Sequence, residues 1–220
     1  QEEVPGFAEE NRSPAFRPVR EALAAADYEA LVLTEMVELK DAIRYHDSAK
    51  ALAEWVNFAR TARPDIRIYL YETWHRLDDP AGWEARIAAD LPALWEGQIL
   101  RRAMAQDQGA IHVIPGGQVL AALVARIEAG DLPGLTSRND LFGKAQDGSQ
   151  DMIHLSDLGS YAIALTHYAV LSGETPVGLP HALLRADGSP ADAPSPEAAR
   201  IMQEVVWQVV TGYALTGVSG

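Results

Sequence analysis

Cysteine is absent from the 220 residues of the sequence. Its absence excludes disulfide bonds, thiolate nucleophiles and metal sites built on cysteine. Positive charge is scarce, because 18 lysines and arginines stand against 31 aspartates and glutamates, which gives a formal net charge of −13. A surface of this sign does not attract nucleic-acid phosphates or anionic lipids, so no nucleic-acid partner is expected.

Long apolar segments are also missing. No run approaches the roughly 20 residues that cross a bilayer, so no membrane span is predicted. The sequence is 48% hydrophobic and 22% charged, which is typical of a globular protein with an ordinary core. Its first residues, Gln-Glu-Glu-Val-Pro, fit the trimmed end of a secreted or periplasmic protein as well as a cut inside a longer chain, so the compartment stays open.

The sequence does contain an alternation of short apolar segments and longer amphipathic ones. After a polar, proline-containing arm at 1–18, residues 19–220 are interpreted as a single domain. Strands are predicted at 28–33, 66–71 and 110–114, and helices at 19–26, 48–62, 83–106, 118–129, 157–171 and 196–210. Residues 130–150 are predicted to form an irregular loop. The alternation indicates an α/β fold, a three-layer αβα (flavodoxin-like) arrangement around a parallel sheet.

Polar residues follow each predicted strand. In open parallel sheets, ligands bind at the carboxyl ends of the strands, so Thr34, Glu35, Trp74 and His75 are candidates for substrate binding. Trp74 has the additional capacity to stack on a sugar ring. The alternative interpretation is that these residues only end strands, start helices or pack against the core.

The sharpest chemical signal is an aspartate three residues before a histidine, Asp151 and His154. On a turn, the carboxylate can accept a hydrogen bond from Nδ1–H of the ring, which fixes the tautomer and leaves Nε2 free to take a proton from a serine hydroxyl. An isolated pair at this spacing also occurs often by chance in a purely structural role. The neighbouring sequence therefore has to decide between the two interpretations.

Residues 151–161 read Asp-Met-Ile-His-Leu-Ser-Asp-Leu-Gly-Ser-Tyr and precede an apolar helix. This segment, after three strand–helix units, resembles the last sequence block of the SGNH/GDSL family of serine hydrolases, and the resemblance covers about residues 28–175. It implies an SGNH-hydrolase-like domain with a Ser-His-Asp triad, in which His154 is the general base and Asp151 its orienting acid. It implies no cofactor and no metal.

Two departures from that family bear on the function. The family's nucleophile motif, such as Gly-Asp-Ser after a first strand, is missing, and neither Ser13 nor Ser48 follows a predicted strand. Where the family has Gly-x-Asn-Asp, this sequence has Thr34, Glu35 and Met36, and an ionised Glu35 would repel an oxyanion. Three strands are also few for such a sheet, which usually has about five. The domain is therefore expected to be incomplete at its N-terminus, with the serine on an upstream peptide of the same protein.

The expected function is a serine esterase or deacetylase of small acyl esters, with an O-acetylated carbohydrate as the substrate class that the resemblance implies. The alternative is a non-catalytic SGNH-like domain that binds a glycan or a protein. A third hypothesis, a metal hydrolase, would draw on His46, His75 or His112 with nearby carboxylates, but none of these shows the spacing of a metal-ligand motif.

Overall fold

The computed structural model describes residues 16–105 and 109–220, so most of the predicted arm at 1–18 lies outside the described residues. The strands are β1 (Ala30–Thr34), β2 (Arg67–Glu72), β3 (His112–Pro115), β4 (Phe142–Lys144) and β5 (Gln150–Leu155). The α-helices are α1 (Val19–Ala24), α2 (Leu39–His46), α3 (Ser48–Ala62), α4 (Trp83–Asp90), α5 (Arg101–Met104), α6 (Gly116–Glu128), α7 (Asp157–Ser172) and α8 (Pro196–Gly212). A π-helix (Leu91–Leu100) and two 3₁₀-helices (Arg138–Leu141 and Ala214–Thr216) complete the elements.

The first three strands form a parallel sheet in the order β1-β2-β3. Val32 lies beside Tyr69, and Leu70 lies beside Val113, so the strands are aligned with their carboxyl ends at one edge. Helices connect the strands, as parallel pairing requires. The predicted α/β class is therefore confirmed, while the assignment to the SGNH type stays a prediction.

Helices pack on both faces of this sheet. Side chains alternate along β2, so that Ile68 and Leu70 enter one apolar core and Tyr69 enters the other. The first core is filled mainly by α3 and the π-helix, and the second by α6, α7 and α8. Burial on both faces explains why β2 is a nearly continuous apolar segment in the sequence.

Strand β1 is less buried than its sequence suggests. The pattern predicts a buried strand, but Val32 is 37% exposed and Thr34 is also exposed. Within the described part of the chain, β1 pairs only with β2 and forms an edge of the sheet. An edge strand lacks the neighbours that cover a central strand such as β2.

Several local predictions were wrong. The segment expected as an irregular loop holds a 3₁₀-helix and β4, which pairs antiparallel with β5. Helix α2 was not predicted. The helical stretch at 83–106, which Pro92 is expected to kink or divide, is divided into α4, the π-helix and α5. Pro92 lies at the start of the π-helix, consistent with the loss of one backbone donor there. None of the helices in the described ranges has the length and apolar character needed to cross a membrane.

Candidate functional site

Strand β5 carries the aspartate–histidine pair. The Oδ2 atom of Asp151 lies 2.9 Å from Nδ1 of His154. Its other oxygen, Oδ1, accepts hydrogen bonds from the backbone N–H groups of Ile153 at 2.9 Å and of His154 at 2.8 Å. The carboxylate therefore closes a local turn inside the strand, and the three-residue spacing brings the carboxylate and the imidazole into contact.

These contacts set the charge of Asp151. The backbone N–H of His154, then that of Ile153 and then the imidazole lower the pKa of Asp151 to about 2, from an ordinary value of 3.8. The carboxylate is thus ionised at neutral pH and accepts hydrogen bonds without donating any. Nδ1 of His154 is then the hydrogen-bond donor, and in the neutral imidazole this tautomer leaves Nε2 as the acceptor.

The imidazole of His154 is 82% exposed. Among the described residues, no hydroxyl group forms a hydrogen bond to its Nε2. Ser48 is buried at the start of α3, where its Oγ has no hydrogen-bond partner, and Ser13 lies outside the described residues. The carboxylate of Asp151 and the imidazole of His154 are in contact, but the described residues place no serine hydroxyl on Nε2 of His154.

The residues after His154 are explained by the start of α7. Ser156 is its N-cap, with Oγ accepting from the N–H of Gly159 at 3.3 Å and donating to the carbonyl of Asp140 at 2.8 Å. A side chain at Gly159 would collide with the carbonyl oxygen of Leu141, so the close approach requires glycine. Tyr161 is buried, and its hydroxyl accepts from Gln203 at 2.7 Å. The segment 155–161 therefore anchors β5 to the core.

The predicted substrate-binding pair at the end of β1 has a local role. The hydroxyl of Thr34 donates to the carbonyl of Tyr71 at 2.8 Å, which ties the ends of β1 and β2 together. Among the described residues, the carboxylate of the half-buried Glu35 accepts only from the neighbouring N–H of Met36, at 3.3 Å. Neither side chain forms a hydrogen bond with Asp151 or His154.

The loop after β2 (residues 73–82) lies against β5. The indole N–H of the half-buried Trp74 donates to the carbonyl of Ile153 at 2.8 Å, and the N–H of Leu77 donates to the carbonyl of Met152 at 2.8 Å. Trp74 also packs against the second apolar core. The structure thus places Trp74 beside the segment between Asp151 and His154, through a contact with the backbone of Ile153 that the sequence does not reveal.

His75 does not line an open surface, which corrects its expected role in contacting substrate. It is 4% exposed, and its Nε2 lies 3.2 Å from Oδ2 of Asp90. Arg86 binds the same oxygen of Asp90 at 2.7 Å and Asp79 at 2.6 Å. Burial, followed by the charge of Arg86, lowers the pKa of His75. This cluster, in which His75 and Asp90 are buried and Asp79 and Arg86 are half-buried, fastens the loop to α4.

Glu72, the last residue of β2, is the buried carboxylate that sequence reasoning did not single out. It is 1% exposed, and its Oε2 accepts from the N–H groups of Gly117 at 2.8 Å and of Gln118 at 3.3 Å. Burial raises its pKa to about 8, although these donors and the Gln118 amide act in the opposite direction. The start of α6 approaches so closely that a side chain at Gly117 would overlap this carboxylate. Its place among the polar residues at the carboxyl end of β2 is the sequence signal that points to it.

No group of three or more histidine, aspartate and glutamate side chains in residues 16–105 and 109–220 is arranged to hold a metal ion. His75 is engaged by Asp90, and the ring of His112 lies 5.7 Å from that of Tyr69. The metal-hydrolase hypothesis therefore has no candidate site in these ranges.

Comparison of the chain with models of protein families, with curated proteins and with solved structures gave no match. The resemblance of residues 151–161 to the SGNH/GDSL family accordingly stays a prediction.

Proposed function

We propose that the protein is an ester hydrolase in which Asp151 and His154 are the acid and base of a Ser-His-Asp triad. One observation carries the proposal, the 2.9 Å contact between Oδ2 of Asp151 and Nδ1 of His154. A carboxylate held by two backbone donors, next to a histidine with a free Nε2, is the arrangement that general-base catalysis on a hydroxyl needs. The nucleophilic serine is proposed to lie outside the described residues.

In the proposed reaction, the serine Oγ attacks the ester carbonyl while its proton passes to Nε2 of His154. The tetrahedral intermediate collapses, and the alkoxide leaves with that proton, which gives an acyl-enzyme. Water, deprotonated by the same Nε2, then releases the carboxylic acid and restores the serine. Asp151 stays ionised throughout and stabilises the imidazolium that forms in each half of the reaction.

The proposed substrates are small acyl esters on a carbohydrate, such as O-acetyl groups. The exposure of His154 supports a bulky alcohol, because an imidazole that is 82% exposed can be reached by an ester on a polymer surface. The net charge of −13 favours a neutral polymer over a strongly acidic one.

The direct test is labelling of the full protein with a fluorophosphonate probe, followed by intact mass and peptide mapping. A single label on a serine, lost in the His154→Ala variant, is the expected result. The mapped peptide would identify the nucleophile. A folded protein that takes up no label and hydrolyses no acetyl ester would overturn the proposal.

Two observations favour a second candidate function, a non-catalytic domain that binds a glycan or a protein. The described residues place no hydroxyl on Nε2 of His154, and Glu35 at the end of β1 offers no donor for an oxyanion. This candidate predicts glycan or protein binding by the unlabelled protein, with affinity unchanged in His154→Ala unless the imidazole itself contacts the ligand.

A further inference from the structure

Two residues, Met152 and Ile153, separate Asp151 from His154. The loop 73–82 forms a hydrogen bond to each of these two residues. The indole N–H of Trp74 donates to the carbonyl of Ile153, and the N–H of Leu77 donates to the carbonyl of Met152, each at 2.8 Å. The N–H of Ile153 meanwhile donates to Asp151. The turn that presents His154 is therefore bonded from two sides, by its own carboxylate and by this loop.

The antiparallel partner of β5 cannot supply these contacts. Strand β4 has three residues, and its registered pairs with β5 are Phe142 with Leu155 and Lys144 with Gln150. The register slips between them, so residues 151–154 lie in the irregular stretch of the hairpin. A two-stranded ribbon of this length is marginal without outside support.

The loop is itself held firmly. His75, next to Trp74, is buried against Asp90, and Arg86 of α4 binds both Asp90 and Asp79. Buried charged groups that satisfy one another fix a single geometry, because breaking any one bond leaves a costly unpaired group. The loop can therefore act as a rigid support for the irregular part of β5.

We propose that Trp74 is a positioning residue, whose indole N–H holds the Ile153 carbonyl and thereby fixes the turn that aims His154. The structural part of this inference, the support of the turn by Trp74, does not depend on the proposed function. Its consequence for catalysis rests on that function. It differs from the role expected from the sequence, in which the Trp74 ring stacks on a sugar.

The chain offers a matched control. Trp83 is a more deeply buried tryptophan, and its indole Nε1 has no hydrogen-bond partner among the described residues. Replacing either tryptophan with phenylalanine keeps an aromatic ring and removes one N–H. Only Trp74→Phe removes a bond to the turn.

The first measurement is amide hydrogen exchange at Ile153 and His154 by NMR, with the pKa of Asp151 followed in the same samples. Trp74→Phe is expected to accelerate exchange at both amides by about tenfold, the effect of losing one hydrogen bond. The pKa of Asp151 should move up from about 2 towards 3.8, because its backbone donors are held less firmly. Trp83→Phe should change neither quantity. Equal exchange in Trp74→Phe and the unmodified protein would overturn the proposal, as would equal acceleration in both variants.

The second measurement separates positioning from sugar stacking. With an acetylated oligosaccharide, a positioning role predicts that Trp74→Phe lowers kcat about tenfold and leaves KM nearly unchanged. Stacking predicts the opposite, a nearly normal Trp74→Phe and a raised KM in Trp74→Ala, and that pattern would overturn the proposal. The exchange measurement needs no activity and therefore tests the role of Trp74 in the turn by itself. A protein without esterase activity would overturn only the proposed function.

Discussion

Two histidine–aspartate pairs are attached to the loop after β2, and they differ chiefly in their access to water. In the first, Nδ1 of His154 lies 2.9 Å from Asp151, and the imidazole is 82% exposed. In the second, Nε2 of His75 lies 3.2 Å from Asp90, and the imidazole side chain is 5% exposed. The imidazole of His154 is therefore accessible to a molecule in solution, whereas that of His75 is enclosed by the protein.

The aspartates differ as well. Asp151 is held by two backbone N–H groups of its own turn, so its geometry is local. Asp90 is held by Arg86, which also binds Asp79. A pair that is buried and shared with an arginine serves the packing of α4 and the loop, whereas a pair with a free, exposed Nε2 is suited to proton transfer. Exposure of the imidazole, and not the presence of the pair, distinguishes the candidate site.

The largest expected effect is on activity. If the proposed mechanism holds, His154→Ala should lower ester hydrolysis by about 10³–10⁴-fold, because His154 is the proposed acceptor of the nucleophile's proton. Its unfolding free energy should change by less than about 0.5 kcal/mol, since the side chain is exposed. Initial rates on an acetyl ester and denaturant unfolding of the same preparation check both statements. Near-normal hydrolysis by the variant would show that His154 is not the base.

Asp151→Asn should reduce activity by about 10³-fold or more, for a reason visible in the turn. The N–H groups of Ile153 and His154 require an oxygen, so the new amide must direct its NH₂ group at Nδ1 of His154. The histidine proton is then displaced to Nε2, which can no longer accept one. Rates together with the ¹⁵N chemical shifts of the ring test this, and an active variant with the proton still on Nδ1 would contradict it.

Substitution in the buried pair of His75 and Asp90 should instead change the free energy of unfolding. Asp90→Ala removes a carboxylate that binds both His75 and Arg86, and it is expected to lower the unfolding free energy by about 3 kcal/mol. Arg200→Ala, which breaks an exposed pair with Glu204 on α8, is the control and should cost less than about 0.5 kcal/mol. Urea denaturation of the two variants measures the contrast. A cost at Asp90 no larger than that at Arg200 would mean that burial does not distinguish the pairs.

The smallest effect is a pH dependence of stability. Burial lowers the pKa of His75 below 6.5, so at pH values just under 6.5 the unfolded chain binds a proton that the folded protein does not. The stability contributed by neutral His75 is therefore complete above pH 6.5 and decreases as the pH falls towards its folded pKa. His75→Gln removes this titration and should flatten the slope of unfolding free energy against pH between 7 and 5. Identical slopes in the variant and the unmodified protein would show that His75 is not held neutral.

The sequence by itself determined the α/β class, helix α3 with both of its ends, and the contact between Asp151 and His154. Each depends on interactions between near neighbours in the chain, namely strand and helix periodicity and a carboxylate three residues before an imidazole. A local rule also accounts for Ser156 as the N-cap of α7, where its side-chain oxygen meets the free backbone N–H of Gly159.

Only the tertiary structure decided the surroundings of that pair. The β4–β5 hairpin, the burial of His75 against Asp90 and the bond from Trp74 to Ile153 join residues that are distant in the chain or lack a periodic pattern. Trp74 and His75 are adjacent in sequence, yet one supports the candidate site and the other is enclosed, because the fold of the loop turns them to different neighbours. Burial is a property of the packed molecule, so composition and spacing could propose both residues as site members but could not assign their roles.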